Sequence, residues 1–444
     1  MGADGDGIAT LPGGDQLYAP DTLPAEWVQP GDLSRRGEGW TARATILEPS
    51  PDRVVPPCPH FGPCGGCTLQ HWRDEPYSTW KLEQVQNALS RLIPLSAEEG
   101  RGEGRNRLSP ARVTPITPGE KGPRVPSARE LARTPPLARR RMDLAIRRDG
   151  PAILIGLHRR RSSDIVDMHA CPILHPTLFA LVQALRPVLK RLTGLRKHGS
   201  AIVNLLHSGP DLLLRTDAPL TAPDRILLAT LAEAHGLPRI SWQPAAARGE
   251  APPIEPACLL RAATTSFAGV VTAIPPGAFL QASAEGEAAI VAAVLAALPP
   301  LAGKARIIEL FAGVGSITHA LGARGRVQAY EGDADAHAAL HRAGNPRVQA
   351  IRRDLARQPL QVAELKGAAA IVLDPPHGGA LAQMPALAAS GLPIVYVSCN
   401  PAALARDGRT LTQAGYGVVS VAAIDQFLWS ARVESVVAFR KPRR

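Results

Sequence analysis

Apolar residues in the second half of the chain gather into short runs, and between the runs they recur at helical spacing. Arg306–Leu310, Arg326–Glu331, Ile394–Ser398 and residues 369–373 and 433–439 have the length and branched side chains of buried strands. Residues 283–298, a segment opening near Ser316, and Ala334–Arg342 have the spacing of helices. From Phe267 onward strand and helix alternate, which predicts an α/β fold with a Rossmann-like, mostly parallel, doubly wound sheet. Upstream the pattern is less regular. Residues 1–48 are short apolar pieces broken by Gly and Pro and read as a small β unit. Trp80, Val85, Leu89 and Leu92 predict a helix over residues 77–93. Residues 142–157 and 201–216 read as strands, with a helix over 175–192 between them. Residues 96–141 and 244–256 are Pro-rich breaks of loop or linker character. The intervals 1–48, 49–265 and 266–444 follow as domains, with no internal repeat.

Charge changes the picture. The chain of 444 residues is 45% hydrophobic, enough for a sizeable core, yet its formal net charge is +11. An enzyme of small metabolites has little need of that; a partner rich in phosphate does. Arg139-Arg140-Arg141 and Arg159-Arg160-Arg161 bracket one predicted strand and are candidate phosphate contacts. Aromatics are only 4%, so wide stacking platforms are not expected. No apolar run reaches the roughly 18 residues of a membrane span. The opening Met1-Gly2-Ala3-Asp4-Gly5-Asp6 has no signal-peptide character. A cytoplasmic monomer is expected, in which six cysteines point to metal or catalysis before disulfides.

Three constellations carry chemistry. Glu309 to Ser316 joins the first strand of the regular region to its helix, and Gly313 and Gly315 let the backbone turn sharply and approach a ligand. Position 318 is Thr, so the dinucleotide fingerprint is incomplete and NAD is disfavoured. Glu331 ends the next strand, suited to the two ribose hydroxyls of an adenosine ligand; Asp354 follows a further short strand, suited to the adenine edge. Second, Cys58, Cys64 and Cys67 form a compact trio with Gly65 and Gly66, and Cys171 is the best fourth thiolate. Zinc and an iron–sulfur cluster fit that spacing equally. His60 and His71 read as bystanders, and Cys258 as a buried apolar residue. Third, Cys399 ends an apolar strand and is followed by Asn400-Pro401, a turn that presents a thiolate at the rim of a sheet. Asp374-Pro375-Pro376 closes the strand before it, the place where S-adenosylmethionine enzymes grip a flat base.

Together these segments resemble the bacterial RNA 5-methyluridine methyltransferases, and within them the iron–sulfur-containing 23S ribosomal RNA enzymes. The resemblance runs from Ser50-Pro51 and the Cys-Gly-Gly-Cys loop through Phe279-Leu280-Gln281, the Gly313 turn and Asp374-Pro375-Pro376 to Ser398-Cys399-Asn400-Pro401 and Val433-Glu434. It implies a class I S-adenosylmethionine methyltransferase domain, a central α+β domain with a [4Fe-4S] cluster on Cys58, Cys64, Cys67 and Cys171, and an N-terminal TRAM-like barrel that binds RNA. It implies that Gln281, Phe311, Gly313, Gly315, Ser316, Glu331, Asp354 and Asp374 bind or flank the cofactor.

The chemistry expected is covalent. Uracil C5 is a poor nucleophile until a thiolate adds to C6. Cys399 is the nucleophile, with its thiol acidified by the local field, and Glu434 is the base that removes the C5 proton. The uridine must leave its stack. The substrate is RNA, 23S first and tRNA as the alternative. Rival readings are an amino-methyltransferase, which needs no Cys399, and a non-catalytic RNA-binding assembly factor. The chain departs from the family pattern at Ser316, where Asn is common, at His377, where Arg is usual, and at Arg432, where His is usual.

Overall fold

The computed structural model describes residues 1–92, 111–112, 128, 130–245 and 252–442. Its largest sheet has eight strands in the order Val348–Arg352, Arg326–Glu331, Arg306–Leu310, Ala370–Leu373, Ile394–Ser398, Glu434–Arg440, Gly417–Asp425 and Leu131–Arg133. The first five are parallel. Glu434–Arg440 runs antiparallel to both its neighbours, so the sheet is mixed at one end. The central strands alternate strictly. Ile371, Leu373, Ile394 and Tyr396 enter one core, shared with the helices Asp74–Ser90, Met384–Ser390 and Pro401–Gln413. Val372, Val395 and Val397 enter the other, shared with Ala284–Ala297, Thr318–Gly322 and Ala334–Arg342. Both faces are covered, which is why these strands read as unbroken apolar runs. Each such buried side chain contributes about 1.5–3 kcal/mol.

The chain order fixes where a ligand fits. From Arg306–Leu310 the next two strands step to one side, and Ala370–Leu373 then starts the other side. The crevice at the carboxyl ends of these two strands is a topological switch point, the favoured ligand site of such sheets.

A seven-stranded sheet forms the second unit, in the order Ile165–Asp167, Ala152–His158, Arg141–Asp149, His198–Leu206, Gly209–Thr216, Arg239–Pro244 and Glu255–Leu259, with helices Pro176–Arg191 and Ala222–Ala234 in its core. Two expected strands are hairpins. Residues 142–157 turn back at Gly150 (φ +55°), and 201–216 turn at Gly209 (φ +119°). Glycine supplies the left-handed backbone that both turns need. The helix of Asp74–Ser90 and the strand Leu131–Arg133 lie outside the third interval but pack with the large sheet. Ile93 and most of 96–141 lie outside the described residues.

Residues 1–48 supply the strands of two small sheets, Gly7–Thr10, Gln16–Ala19, Gly39–Thr41 and Ser34–Arg36 in one and Ala44–Glu48 and Trp27–Pro30 in the other, to which the later strand Ala111–Arg112 is added. Buried Asp6 anchors this unit by accepting from Arg36 (2.5 Å) and Arg160 (2.5 Å). Among the described residues no helix is long and apolar enough to cross a membrane.

Candidate active site

The Gly313 turn is built on strained backbone. Phe311 has φ +64°, rare for a bulky residue, and Gly313 and Gly315 have φ +57° and +100°. A Cβ on Gly315 would lie 2.8 Å from Leu340 Cδ1 and 2.9 Å from His319 Nε2, so any side chain there would strain the backbone and push both neighbours aside. Glu331 reaches back across the strand ends. Its Oε2 accepts from Gly313 N at 2.7 Å and its Oε1 from Asp333 N at 2.7 Å. The carboxylate is thereby fixed beside the turn, with lone pairs left for a ligand hydroxyl. Ser316 is half-buried just before the short helix. Asp354 stands exposed after Val348–Arg352, its Oδ1 accepting from Ala356 N and Arg357 N. Beneath the turn, buried Glu309 has its acid group pushed up to about 8, first by burial and then by the charges of Asp374 and Glu331.

Strand register sets the reacting corner. Ser398 pairs with Ser435, so Cys399 and Glu434 come side by side at the same sheet edge. Glu434 is buried; its Oε2 accepts from Gln426 Nε2 at 2.7 Å, and its Oε1 has no hydrogen-bond partner among the described residues. Gln426 Nε2 also donates to Gln281 Oε1 (2.8 Å), and Gln281 Nε2 donates to Asp374 Oδ2 (3.2 Å). Two amides thus join two carboxyl groups in one line. Burial pushes both acids up, and the charge of Asp374 pushes Glu434 further. The pair therefore resists carrying two negative charges, and Glu434 is a strong base once ionised.

Cys399 corrects an expectation. Its thiol is not acidified but pushed up to about 11, first by burial and then by the negative charges of Glu434 and Asp374; Arg432 opposes them only in part. Its sulfur lies 3.8 Å from His377 Nδ1.

The four cysteines of the second constellation also converge. Cys58, Cys64, Cys67 and Cys171 line one partly open cavity with His60, Phe61, Leu157 and Met168. Burial is the main cause that raises the Cys64 and Cys171 thiols and takes Cys67 up to about 12. Any cation bound there must displace protons. The backbone amides of Ile173 and Leu174 oppose the rise at Cys171, as Gly66 does at Cys64 and Gln70 at Cys67. The thiols do not close on one point: among the described residues no three His, Cys, Asp or Glu side chains form the shell of a single ion. His60 lines the cavity but accepts from His169 N (3.1 Å) and Ala170 N (3.3 Å), and His71 is buried with neither ring nitrogen hydrogen-bonded among the described residues. Cys258 lies elsewhere, packed at the edge of the second core.

The arginine triplets divide. Arg140 is buried and donates to Glu287 (2.6 Å) and Gln281 O (3.1 Å), and Arg160 is engaged by Asp6. Both hold domains together. Arg159 and Arg161 remain exposed. Gln426 and Glu309 were not legible as site residues. Asp425-Gln426 follows an apolar stretch, but only the antiparallel return of Glu434–Arg440 brings Gln426 beside the acids.

Comparisons with known proteins give the family. The sequence profile of the tRNA (uracil-5-)-methyltransferase family matches residues 348–442. An uncharacterized RNA methyltransferase of Brucella melitensis is 38% identical over 100% of this chain and 97% of its own length. The 23S rRNA (uracil(1939)-C(5))-methyltransferase RlmD of Chromohalobacter salexigens is 31% identical over 98% of this chain and 86% of its own. The crystal structure of Pyrococcus abyssi tRNA (uracil-54, C5)-methyltransferase with S-adenosyl-L-homocysteine superposes with TM-score 0.70 over 98% of each chain at 19% identity, a likeness of fold. The chain belongs to the RNA uracil-5-methyltransferase family and is an S-adenosylmethionine-dependent enzyme of that kind.

Proposed function

We propose that the chain methylates C5 of a uridine in 23S ribosomal RNA through a transient bond between Cys399 and uracil C6. The observation that carries this reading is the register pairing of Ser398 with Ser435. It sets a sulfur beside a buried carboxyl group whose Oε1 lacks a hydrogen-bond partner among the described residues. Cys399 adds to C6 and makes C5 nucleophilic. S-adenosylmethionine, when bound against the Gly313 turn and Glu331, supplies the methyl group. Phe311, Gly315, Ser316 and Asp354 complete its contacts, and Gln281 and Asp374 border it on the uracil side. Glu434 takes the C5 proton, and its strong basicity suits a carbon acid. The sulfur then leaves. The RlmD relative supports 23S RNA as substrate; tRNA is the second reading, supported by the description of the matched family profile.

The same proposal assigns a [4Fe-4S] cluster to Cys58, Cys64, Cys67 and Cys171. Four thiols that line one cavity are a donor set that could hold such a cluster. Held by four protein ligands, it serves as structure or as an RNA-positioning element. The intervals 1–48, 49–265 and 266–444 act as a short TRAM-like RNA-binding barrel, a cluster-bearing RNA-contacting domain and the methyltransferase, in a cytoplasmic monomer. Mapping 5-methyluridine in 23S RNA and tRNA from cells with and without the gene tests the substrate. Loss of one 23S methyl group is expected; loss confined to tRNA would move the assignment there.

A further inference from the structure

We propose that His377 is the proton acceptor that converts the Cys399 thiol into the attacking thiolate, an inference that rests on the covalent route above. His377 Nδ1 lies 3.8 Å from Cys399 Sγ, within hydrogen-bond reach for sulfur. Cys399 directly follows the strand Ile394–Ser398, and His377 lies in the loop after the adjacent parallel strand Ala370–Leu373, so both stand at the same end of the sheet. Asn400 ties the two loops together. Its Nδ2 donates to His377 O at 2.9 Å, while its Oδ1 accepts from Ala402 N (3.0 Å) at the start of the helix Pro401–Gln413. Arg406 of that helix donates to Gly378 O at 2.7 Å, one residue further on. Two independent bonds, to the carbonyls of His377 and Gly378, thus hold the loop that carries the imidazole beside the thiol.

A base is needed here because of what surrounds the sulfur. Glu434 faces it from the antiparallel strand and Asp374 from the preceding loop, both disfavouring a thiolate; Arg432 favours one. Around His377 the charged neighbour is Arg406, itself beside Asp407, which is buried and accepts from Ala380 N and Tyr396 OH. Transfer of the proton to the adjacent ring leaves a cation next to the new anion, so the site gains no net charge. Taking the proton at Nδ1 requires the neutral ring to carry its hydrogen on Nε2. Asn400 Nδ2 stands 3.4 Å from that atom, at the outer limit, and makes its short bond to the carbonyl instead.

The step balances. The S–H bond of Cys399 breaks and an N–H bond forms at Nδ1. The sulfur pair forms the bond to C6 as the C5–C6 π pair moves towards C5 and O4. After Glu434 has taken the C5 proton, the S–C6 bond breaks, its electrons return to sulfur, and the imidazolium returns the proton. Imidazole both takes and releases a proton near neutrality, which suits a base that must be restored every turnover.

The test reads the thiol directly. Full-length protein is treated with iodoacetamide across about pH 5 to 10, and modification is followed on the peptide that carries Cys399. The native protein is expected to react through an imidazole-dependent ionisation that gives a plateau near neutrality. His377→Asn, checked by S-adenosylhomocysteine binding, is expected to lose that plateau and react about tenfold or more slowly at neutral pH. His377→Gln should behave the same. A His377→Asn profile that superposes on the native one overturns the inference. Methyl transfer by Cys399→Ala separates the two layers. If that variant is inactive while His377→Asn reacts normally, only the role of His377 falls. If it still methylates RNA, the covalent route falls too.

Discussion

Lys81 Nζ and Asp425 Oδ1 meet at 2.6 Å, and neither side chain has any exposed surface. Asp425 also accepts from Tyr77 OH (2.6 Å), and Lys81 also donates to the carbonyls of Phe427 (3.3 Å) and Arg432. One helix of the N-terminal half therefore clamps the loop that carries Gln426 at one end and Glu434 at the other.

Breaking a buried pair from one side leaves a charge with no compensation, at a cost of about 3–5 kcal/mol. Lys81→Met is expected to lose that much in urea unfolding. The double variant Lys81→Met/Asp425→Asn should recover a substantial part, because no orphan charge remains. Equal stability of the single variant and the native protein would show that the clamp is dispensable.

Glu331 is held by two backbone amides rather than by a cation, so its charge is available to a bound ligand. Glu331→Ala is expected to weaken S-adenosylhomocysteine binding by about tenfold or more, in line with one or two lost charge-assisted bonds of about 1.5–3 kcal/mol each. Calorimetric titration checks this. Unchanged affinity would remove Glu331 from the cofactor site.

The cavity cysteines predict a metal content. Anaerobically purified protein should carry iron and sulfide with visible absorbance, and Cys67→Ser should lose both. Cys258→Ser should keep them, because Cys258 is not part of the cavity lining. Zinc in place of iron would reassign the site, and an unchanged iron content in Cys67→Ser would dissolve it.

Glu434→Gln keeps the shape of the side chain but removes the base. It is expected to stall after methyl transfer. A covalent protein–RNA species should then accumulate on a denaturing gel, carrying label from methyl-labelled S-adenosylmethionine. Normal turnover by this variant would place the base elsewhere.

The parts legible from sequence were those with a local signal. Buried strands such as Ile394–Ser398 stood out because both faces of the sheet are covered. The four cavity cysteines and the Gly313 turn stood out because their residue types have few other uses in such spacing. The hairpins were read as single strands because apolar alternation continues up to each turn, with only Gly150 and Gly209 to mark it. Gly417–Asp425 was missed because it is half-exposed and mixed in character. The acidity of Cys399 was misjudged because its field comes from Glu434 and Asp374, brought together only by strand pairing. Lys81 and Asp425, 344 residues apart, carried no signal that they would meet.

The central claim is a bond between one sulfur and a pyrimidine carbon. RNA containing 5-fluorouridine offers no C5 proton to remove, so a methylated adduct should persist. Peptide mass spectrometry of that complex is expected to find the fluoropyrimidine on Cys399, with no adduct in Cys399→Ser. An adduct on another residue, or undiminished methylation of ordinary RNA by Cys399→Ser, would contradict the account.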